Sequence, residues 1–177
     1  MSLGLASGTV RVVPYDPTWP DLFAAEAEAL RRRFAATGLP VALKHTGSTA
    51  VPGLAAKPIL DILAGYPPGA ALPEYIRVFT AAGYVHRGEQ GIPGREFFRR
   101  GDPRAYHVHL TEIDSAFWRD HLTFRDRLRA DDELRNAYAS LKRDLAARFP
   151  LDREAYIAAK EPFVKDVLGM STGSPEQ

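Results

Sequence analysis

The strongest constraint on the fold of this chain is an apolar run at residues 59–64 that contains a single carboxylate, Asp61. Every other side chain in the run is apolar, which is typical of a β-strand covered on both faces. A charged carboxylate in such a strand is costly unless it lies at a strand end, meets a cation or shifts its pKa. The sequence therefore predicts a buried strand in which Asp61 is either a strand-end carboxylate held by a basic residue or a functional group.

A Gly-Ser turn precedes this strand. An apolar strand is predicted at residues 41–44, and the chain then turns at Gly47 and Ser48, where a short helix begins. Glycine lets the backbone approach a ligand closely, and free backbone N–H groups at such a turn suit a phosphate. Thr46 and Thr49 add hydroxyl groups. The turn is thus a candidate phosphate site, with an ordinary tight turn as the alternative.

The residues around this turn and strand resemble a known family. A Gly-Ser pair followed by an apolar-flanked Asp is similar to the signature of DNA polymerase β-type nucleotidyltransferases, and the string HTGSTAVPGLAAKPILDIL closely resembles the GrpB family. Weaker matches lie at residues 15–19, 107–110 and 124–129, and at Tyr138, Leu141, Lys142, Tyr156 and Lys160. The resemblance covers nearly the whole chain apart from its first few residues and its tail.

This resemblance implies a site for a nucleoside triphosphate and a divalent metal, Mg²⁺ or Mn²⁺, with Asp61 as a metal ligand. The chain departs from the nucleotidyltransferase pattern at Leu63, where a second acid would follow on the same face of the strand. The resemblance also implies that this gap is usual in the GrpB family. Two adjacent carboxylates are therefore not available for a two-metal centre, which leaves a non-catalytic binding module as the alternative to catalysis.

Two histidines, His107 and His109, are candidates to complete the site. At positions i and i+2 of a predicted strand, both rings point to the same side of the sheet. Imidazoles in that arrangement suit a shared metal or phosphate, and with Asp61 they would form a mixed oxygen and nitrogen site where Mn²⁺ or Zn²⁺ competes with Mg²⁺. The alternative is one packed and one surface histidine. His45 likewise either packs against the sheet or faces the site.

Basic residues supply further candidate phosphate contacts, although any one of them is more often a solvated surface charge. Lys57 is favoured, because it lies beside both the predicted turn and the Asp61 strand. Arg95 and Arg99 lie on a strand expected to neighbour the histidines. The family resemblance adds three positions on the late helices, which are Arg125, Lys142 and Lys160.

The remaining pattern predicts a single α+β domain over residues 1–177, with a mixed sheet flanked by helices and a C-terminal layer of three helices. A first helix, capped by Thr18, ends at Gly38, and a short edge strand is predicted at residues 10–13. Residues 9–169 are expected to be ordered. The segments expected to lack regular structure are a flexible lead at residues 1–8, an exposed loop at 86–94 and a disordered tail at 171–177.

Composition limits the class of protein. The formal net charge of +1 does not indicate a nucleic acid or an anionic membrane as partner, and the lack of cysteine excludes disulfides and thiolate zinc sites. No apolar run is long enough to cross a bilayer, so a cytoplasmic protein is expected. The leading hypothesis is a GrpB-like protein that binds a nucleoside triphosphate and transfers its nucleotide to an acceptor. The alternatives are a metal-dependent phosphohydrolase and a non-catalytic regulatory module. For such a module the resemblance implies a link to coenzyme A metabolism, because GrpB-like domains also occur fused to dephospho-coenzyme A kinases.

Overall fold

The computed structural model describes residues 3–170, so the tail predicted at 171–177 lies outside the described residues. Its centre is a five-stranded mixed sheet built from β1 (Ala42–Thr46), β2 (Leu60–Tyr66), β3 (Val85–His86), β4 (Glu96–Arg100) and β5 (Tyr106–Glu112). The strand order is β1-β2-β5-β4-β3. The central pair β2 and β5 is parallel, and all other neighbours are antiparallel. The predicted α+β class with a mixed sheet is confirmed.

Five helices flank the sheet: α1 (Trp19–Thr37), α2 (Leu72–Ala81), α3 (Ala116–Ala130), α4 (Asp132–Arg148) and α5 (Arg153–Val167). Helices α1 and α2 pack with one sheet face in the main apolar core. Helix α3 packs against the other side of the sheet, and α4 and α5 pack on α3 and on each other to form the helical layer. A single 3₁₀ turn, Ser48–Ala50, follows β1. No helix within residues 3–170 is long and apolar enough to span a bilayer.

Helix α1 begins differently from the prediction. Thr18 does not cap it with its side chain. Instead, its backbone N–H and its hydroxyl both donate to Asp16 Oδ1, at 2.9 and 2.7 Å. The carboxylate of Asp16 competes successfully because it accepts two hydrogen bonds at once, whereas the Thr18 hydroxyl is already used as a donor. The predicted end at Gly38 is correct, with the left-handed backbone (φ 71°) that glycine adopts readily.

The predicted flexible lead is wrong for the part of residues 1–8 that the structure describes. Leu5 is buried and pairs with Arg104, and the Gly4 N–H donates to the Pro58 carbonyl at 2.8 Å. The guanidinium of Arg104 also donates to the Leu5 carbonyl. These contacts come from distant parts of the chain, so no local sequence pattern indicated them.

The predicted edge strand at residues 10–13 is also not formed. Val13 makes a single isolated bridge with Ala56, and the Val10 N–H donates to the Pro150 carbonyl at 2.8 Å. The segment therefore divides its hydrogen bonds between two elements and does not follow one strand. Val10 and Val13 are nevertheless buried, which is the property that the apolar pattern predicted.

Candidate functional site

A cleft of about 520 Å³ lies between the sheet and the late helices. Ten of the predicted site residues line it, namely Gly47, Ser48, Thr49, Lys57, Asp61, Arg95, His107, His109, Lys142 and Lys160. Arg125 is not among the lining residues. The structure thus brings together side chains from the Gly-Ser turn, two central strands and two late helices.

The parallel pairing of β2 and β5 explains why the polar groups meet. Asp61 is registered with His107, and Leu63 is registered with His109. Because strand side chains alternate between faces, the intervening Ile62 points into the apolar core under α1 and α2. One sheet face is therefore apolar around Ile62, and the other presents the carboxylate and both imidazoles to the cleft.

Asp61 is held by both histidines through a single oxygen. Its Oδ1 accepts a hydrogen bond from His107 Nδ1 at 3.2 Å and lies 3.5 Å from His109 Nε2. Burial opposes ionisation, but the hydrogen bonds and charges of the two rings outweigh it and hold the pKa of the Asp61 carboxyl well below its usual range. The carboxylate is thus ionised, with its second oxygen turned towards the Gly-Ser turn.

Gly47 is required because Asp61 approaches it closely. Its backbone has φ 69° and ψ −173°, a conformation essentially confined to glycine. A Cβ atom built at this position would lie 2.5 Å from Asp61 Oδ2. From the sequence we expected Gly47 to allow a close approach of a ligand. In the structure Gly47 instead makes room for the Asp61 carboxylate, which lines the same cleft.

The predicted cage of Asp61, His107 and His109 around a metal is not present. Within residues 3–170 no group of three or more His, Cys, Asp or Glu side chains is arranged to hold a metal ion. The facing ring nitrogens are turned to Asp61, and His107 Nε2 and His109 Nδ1 are buried with no hydrogen-bond partner among the described residues. This donor set fits a single carboxylate ligand that shares a metal with substrate phosphates, as Mg²⁺ commonly binds, but not an all-protein site.

His45 lies on the other face of the sheet. Of the two possibilities for this residue, packing against the sheet or facing the site, the structure therefore shows packing. Its ring stacks on Phe23 of α1 at 4.6 Å, and Nε2 hydrogen-bonds the Thr49 hydroxyl at 3.0 Å. Burial lowers the pKa of His45 to about 4, although the charge of Asp61 opposes this shift. Thr49 therefore anchors the turn. The Thr46 hydroxyl is buried, and Thr46 does not line the cleft.

Three lysines line the cleft, and we call them the lysine group: Lys57, Lys142 and Lys160. Lys57 and Lys160 both lie over the ring of Tyr156, at 5.3 and 4.6 Å from its centroid. Lys142 is only 2% exposed and donates to the Ala55 carbonyl at 2.5 Å. None of the three forms an ion pair with a carboxylate within residues 3–170.

Burial and the charges of neighbouring basic residues lower the pKa values of these lysines. Burial is the larger cause, and it lowers the pKa of Lys57 to about 8, even though the charge of Asp61 partly opposes the shift. Burial and the charge of Lys57 together lower the pKa of Lys160 to about 7, and the pKa of Lys142 lies well below its usual range for the same reasons. An anion in the cleft would relieve this repulsion.

Arg125 acts on the turn from outside the cleft. It donates to the His45 carbonyl at 2.9 Å, and its guanidinium also pairs with Asp126. One turn later on α3, Arg129 donates twice to the Ala50 carbonyl, at 2.9 and 2.6 Å. The two arginines therefore fix both ends of the Gly-Ser turn, a role that the sequence did not indicate for either residue.

The lining residues that were not predicted as site residues include His121, Arg153 and Phe97. Phe97 packs against both site histidines, with ring centroids 5.0 Å from His107 and 5.2 Å from His109. Its alternation with Arg95, just before β4, and with Arg99 on β4 was the available signal, because residues two apart on an extended chain share a face. His121 and Arg153 reach the cleft only through the packing of α3 and α5, which no local pattern reveals.

Comparison with solved structures assigns the class of this fold. The chain is similar to the Cid1 poly(U) polymerase solved with MgGTP, with a TM-score of 0.55 and 14% identity over 77% of this chain and 45% of that one. At this identity the likeness shows the fold alone, which is nucleotidyltransferase-like. The sequence profile of the family described as GrpB protein matches residues 9–169, and the chain belongs to this family.

A solved structure and two similar sequences agree with this assignment. The GrpB protein of Enterococcus faecalis has a TM-score of 0.79 and 34% identity, covering 89% of this chain and 94% of that one. UPF0157 proteins of Pseudomonas aeruginosa and Bacillus subtilis are 43% and 37% identical over 90% and 88% of this chain. The chain spans 66% and 45% of the length of these two relatives.

One group of relatives carries an enzyme name. A dephospho-CoA kinase of Mycolicibacterium paratuberculosis is 31% identical over 92% of this chain, which corresponds to 46% of that protein. The matched region is therefore about half of the named kinase.

Proposed function

We propose that the cleft binds a nucleoside triphosphate and that the protein transfers the nucleotide to an acceptor. The observation that carries this proposal is the lysine group, in which Lys142 is buried and Lys57 and Lys160 are partly buried, with no ion pair to a carboxylate within residues 3–170. Uncompensated cations in a cleft favour an anionic ligand, and ammonium groups are frequent phosphate ligands. The cleft volume of about 520 Å³ lies in the usual range for small-molecule sites.

The arrangement supports a phosphate chain that runs from the turn to the lysine group. Ser48 of the turn and Tyr138 of α4 both line the cleft, so the turn and the helical layer meet there. Lys57 lines the same cleft and lies over the ring of Tyr156. A ligand with several negative charges is favoured over a single phosphate, because its charge would stabilise the protonated forms of lysines whose pKa values burial lowers.

In the proposed reaction an acceptor hydroxyl oxygen forms a bond to the α-phosphorus, the bond to pyrophosphate breaks, and the hydroxyl proton passes to water. Asp61 Oδ2, beside the turn, lies where it can contact a metal that accompanies the phosphates. A divalent metal bound there would offset phosphate charge and align the reacting oxygens. His107 and His109 orient the carboxylate through its other oxygen.

A non-catalytic nucleotide-binding module is the second candidate. It is favoured by Leu63, which is fully buried in the position where this fold class otherwise places a second acid. The dephospho-CoA kinase relative supports a link between such a module and coenzyme A metabolism. A phosphohydrolase that uses the same cleft is the remaining alternative from the sequence.

One assay separates these functions. The intact protein is incubated with radiolabelled ATP or UTP, Mg²⁺ or Mn²⁺ and candidate hydroxyl acceptors, beside an Asp61→Asn variant and the exposed Asp144→Asn variant as a charge-matched control. Pyrophosphate release that is lost only in Asp61→Asn supports transfer, and phosphate release supports hydrolysis. Saturable binding without turnover supports the module. Absence of any nucleotide binding overturns the proposal.

A further inference from the structure

A second set of cations lies on the β4 side of the cleft, and we call it the arginine group: Arg95, Arg99 and Arg153. Arg95 and Arg99 flank Phe97 on the same face of the chain, and their guanidinium carbons lie 5.2 and 5.4 Å from the centroid of its ring. Arg153, the first residue of α5, is close enough for its charge to lower the pKa of both, after burial as the larger cause. Arg95 and Arg153 also line the same cleft, so the segment around Phe97 and the start of α5 bring these guanidinium groups to one part of its wall.

Each member of this group has an unused hydrogen-bond donor. The Nε atoms of Arg95, Arg99 and Arg153 are all buried without a partner within residues 3–170. Arg95 is only 7% exposed, and its terminal nitrogen is held by the Glu89 carbonyl at 2.5 Å. A buried unpaired donor costs free energy, so three of them in one place indicate a site built for an acceptor that is not part of the chain.

The nearby carboxylates do not neutralise the arginine group. Glu89 Oε1 accepts from the Gly94 N–H at 2.6 Å, and Glu96 Oε2 pairs with His86 at 2.6 Å. Glu154 lines the cleft but is exposed. No member of the arginine group forms an ion pair in the part of the chain that the structure describes.

We propose that the arginine group is a second anion site on the β4 side of the same cleft, next to the lysine group, and that it binds a phosphate monoester carried by the acceptor. Guanidinium groups match phosphate oxygens through paired hydrogen bonds, and three of them suit a dianion better than a single carboxylate. Arg95 and Arg153 line the cleft, whereas Arg99 lies outside its lining, which places the site at the cleft wall. The inference rests on the proposed function for the identity of its ligand as acceptor.

Inorganic phosphate is the probe for this site. It is titrated calorimetrically into the intact protein, alone and after saturation with ATP, for the wild type, Arg99→Gln and Arg153→Gln. Arg32→Gln is the control, because this residue is 75% exposed on α1, on the opposite side of the sheet. Thermal unfolding of each variant checks that it folds, and Arg99→Lys repeats the test with the charge kept.

We expect phosphate to bind the wild type even when ATP is present, and Arg99→Gln and Arg153→Gln each to weaken that binding roughly tenfold or more. The phosphate affinity of Arg99→Lys should fall between those of these two variants and the wild type, and the phosphate affinity of Arg32→Gln should match the wild type. Phosphate binding that ATP abolishes, or that neither arginine variant changes, would overturn the second site. Failure of ATP itself to bind is measured separately and would count only against the nucleotide proposal.

Discussion

Replacing Gly47 by alanine tests whether the turn and Asp61 form one geometric unit. The substitution has two separate effects. The backbone at φ 69° and ψ −173° is strained for any residue with a Cβ atom, and the new Cβ would lie 2.5 Å from Asp61 Oδ2 and 3.1 Å from its Cγ. The carboxylate must therefore move away from the turn, which would also break its contact with His107.

The size of the effect follows from these two contributions. Holding a non-glycine residue in this region costs about 1–3 kcal/mol, which for a chain of this size lowers the melting temperature by roughly 2–12 °C. The contact with Asp61 adds to this cost. Asp61→Ala in the Gly47→Ala background should recover part of the lost stability, because it removes the carboxyl atoms that the new Cβ would meet.

The assay is urea denaturation of the wild type, both single variants and the double variant, combined with ATP titration of each. Gly69→Ala is the matched control, since Gly69 also has a positive φ of 76° but a Cβ atom added there would meet no described atom within 4 Å. We expect Gly47→Ala to lose more stability than Gly69→Ala and to bind ATP more weakly. Strictly additive effects of Gly47→Ala and Asp61→Ala, together with unchanged ATP affinity, would refute the reasoning.

Three further predictions concern the surrounding residues. Because the pKa of Lys160 is about 7, below its ordinary value of 10.5, the unfolded chain holds more protons between about pH 7 and 10, so the free energy of unfolding should rise with pH. In Lys160→Met, urea denaturation should show a smaller rise of the free energy of unfolding with pH. Arg129→Ala removes two hydrogen bonds to the Ala50 carbonyl and should cost about 1–3 kcal/mol in unfolding free energy while weakening ATP binding in the same titration. Glu26→Ala leaves the partly buried Arg100 without this partner and should cost about 1–3 kcal/mol by urea denaturation, but with unchanged ATP affinity, since the pair does not line the cleft.

The sequence was most informative where short-range periodicity decides the geometry. The alternation along β5 predicted that His107 and His109 share a face, and the apolar run around Asp61 predicted a strand covered on both sides; both are found. Lys57 was placed next to the turn because of its position in the chain, and it lines the cleft as expected. The family resemblance supplied the fold class and the two lysines on late helices.

Features that depend on tertiary packing were not predictable in this way. The orientation of both ring nitrogens towards Asp61 depends on side-chain torsions, which the sequence does not specify. Arg125 lies on the correct helix, but its side chain reaches a backbone carbonyl instead of the cleft. The arginine group depends on tertiary packing that brings Arg153 at the start of α5 to the same cleft as Arg95, although the two residues are far apart in the chain.

Calorimetric titration of ATP into the wild type, Lys160→Gln and Lys165→Gln tests the central claim most directly. Lys165 lies on the same helix but is exposed and pairs with Glu161 at 2.7 Å, so it controls for the loss of one charge. If the lysine group holds the phosphates, Lys160→Gln should weaken binding roughly tenfold to a hundredfold and Lys165→Gln should leave it unchanged. Equal affinity in the wild type and Lys160→Gln, or no saturable binding by the wild type, would contradict the account.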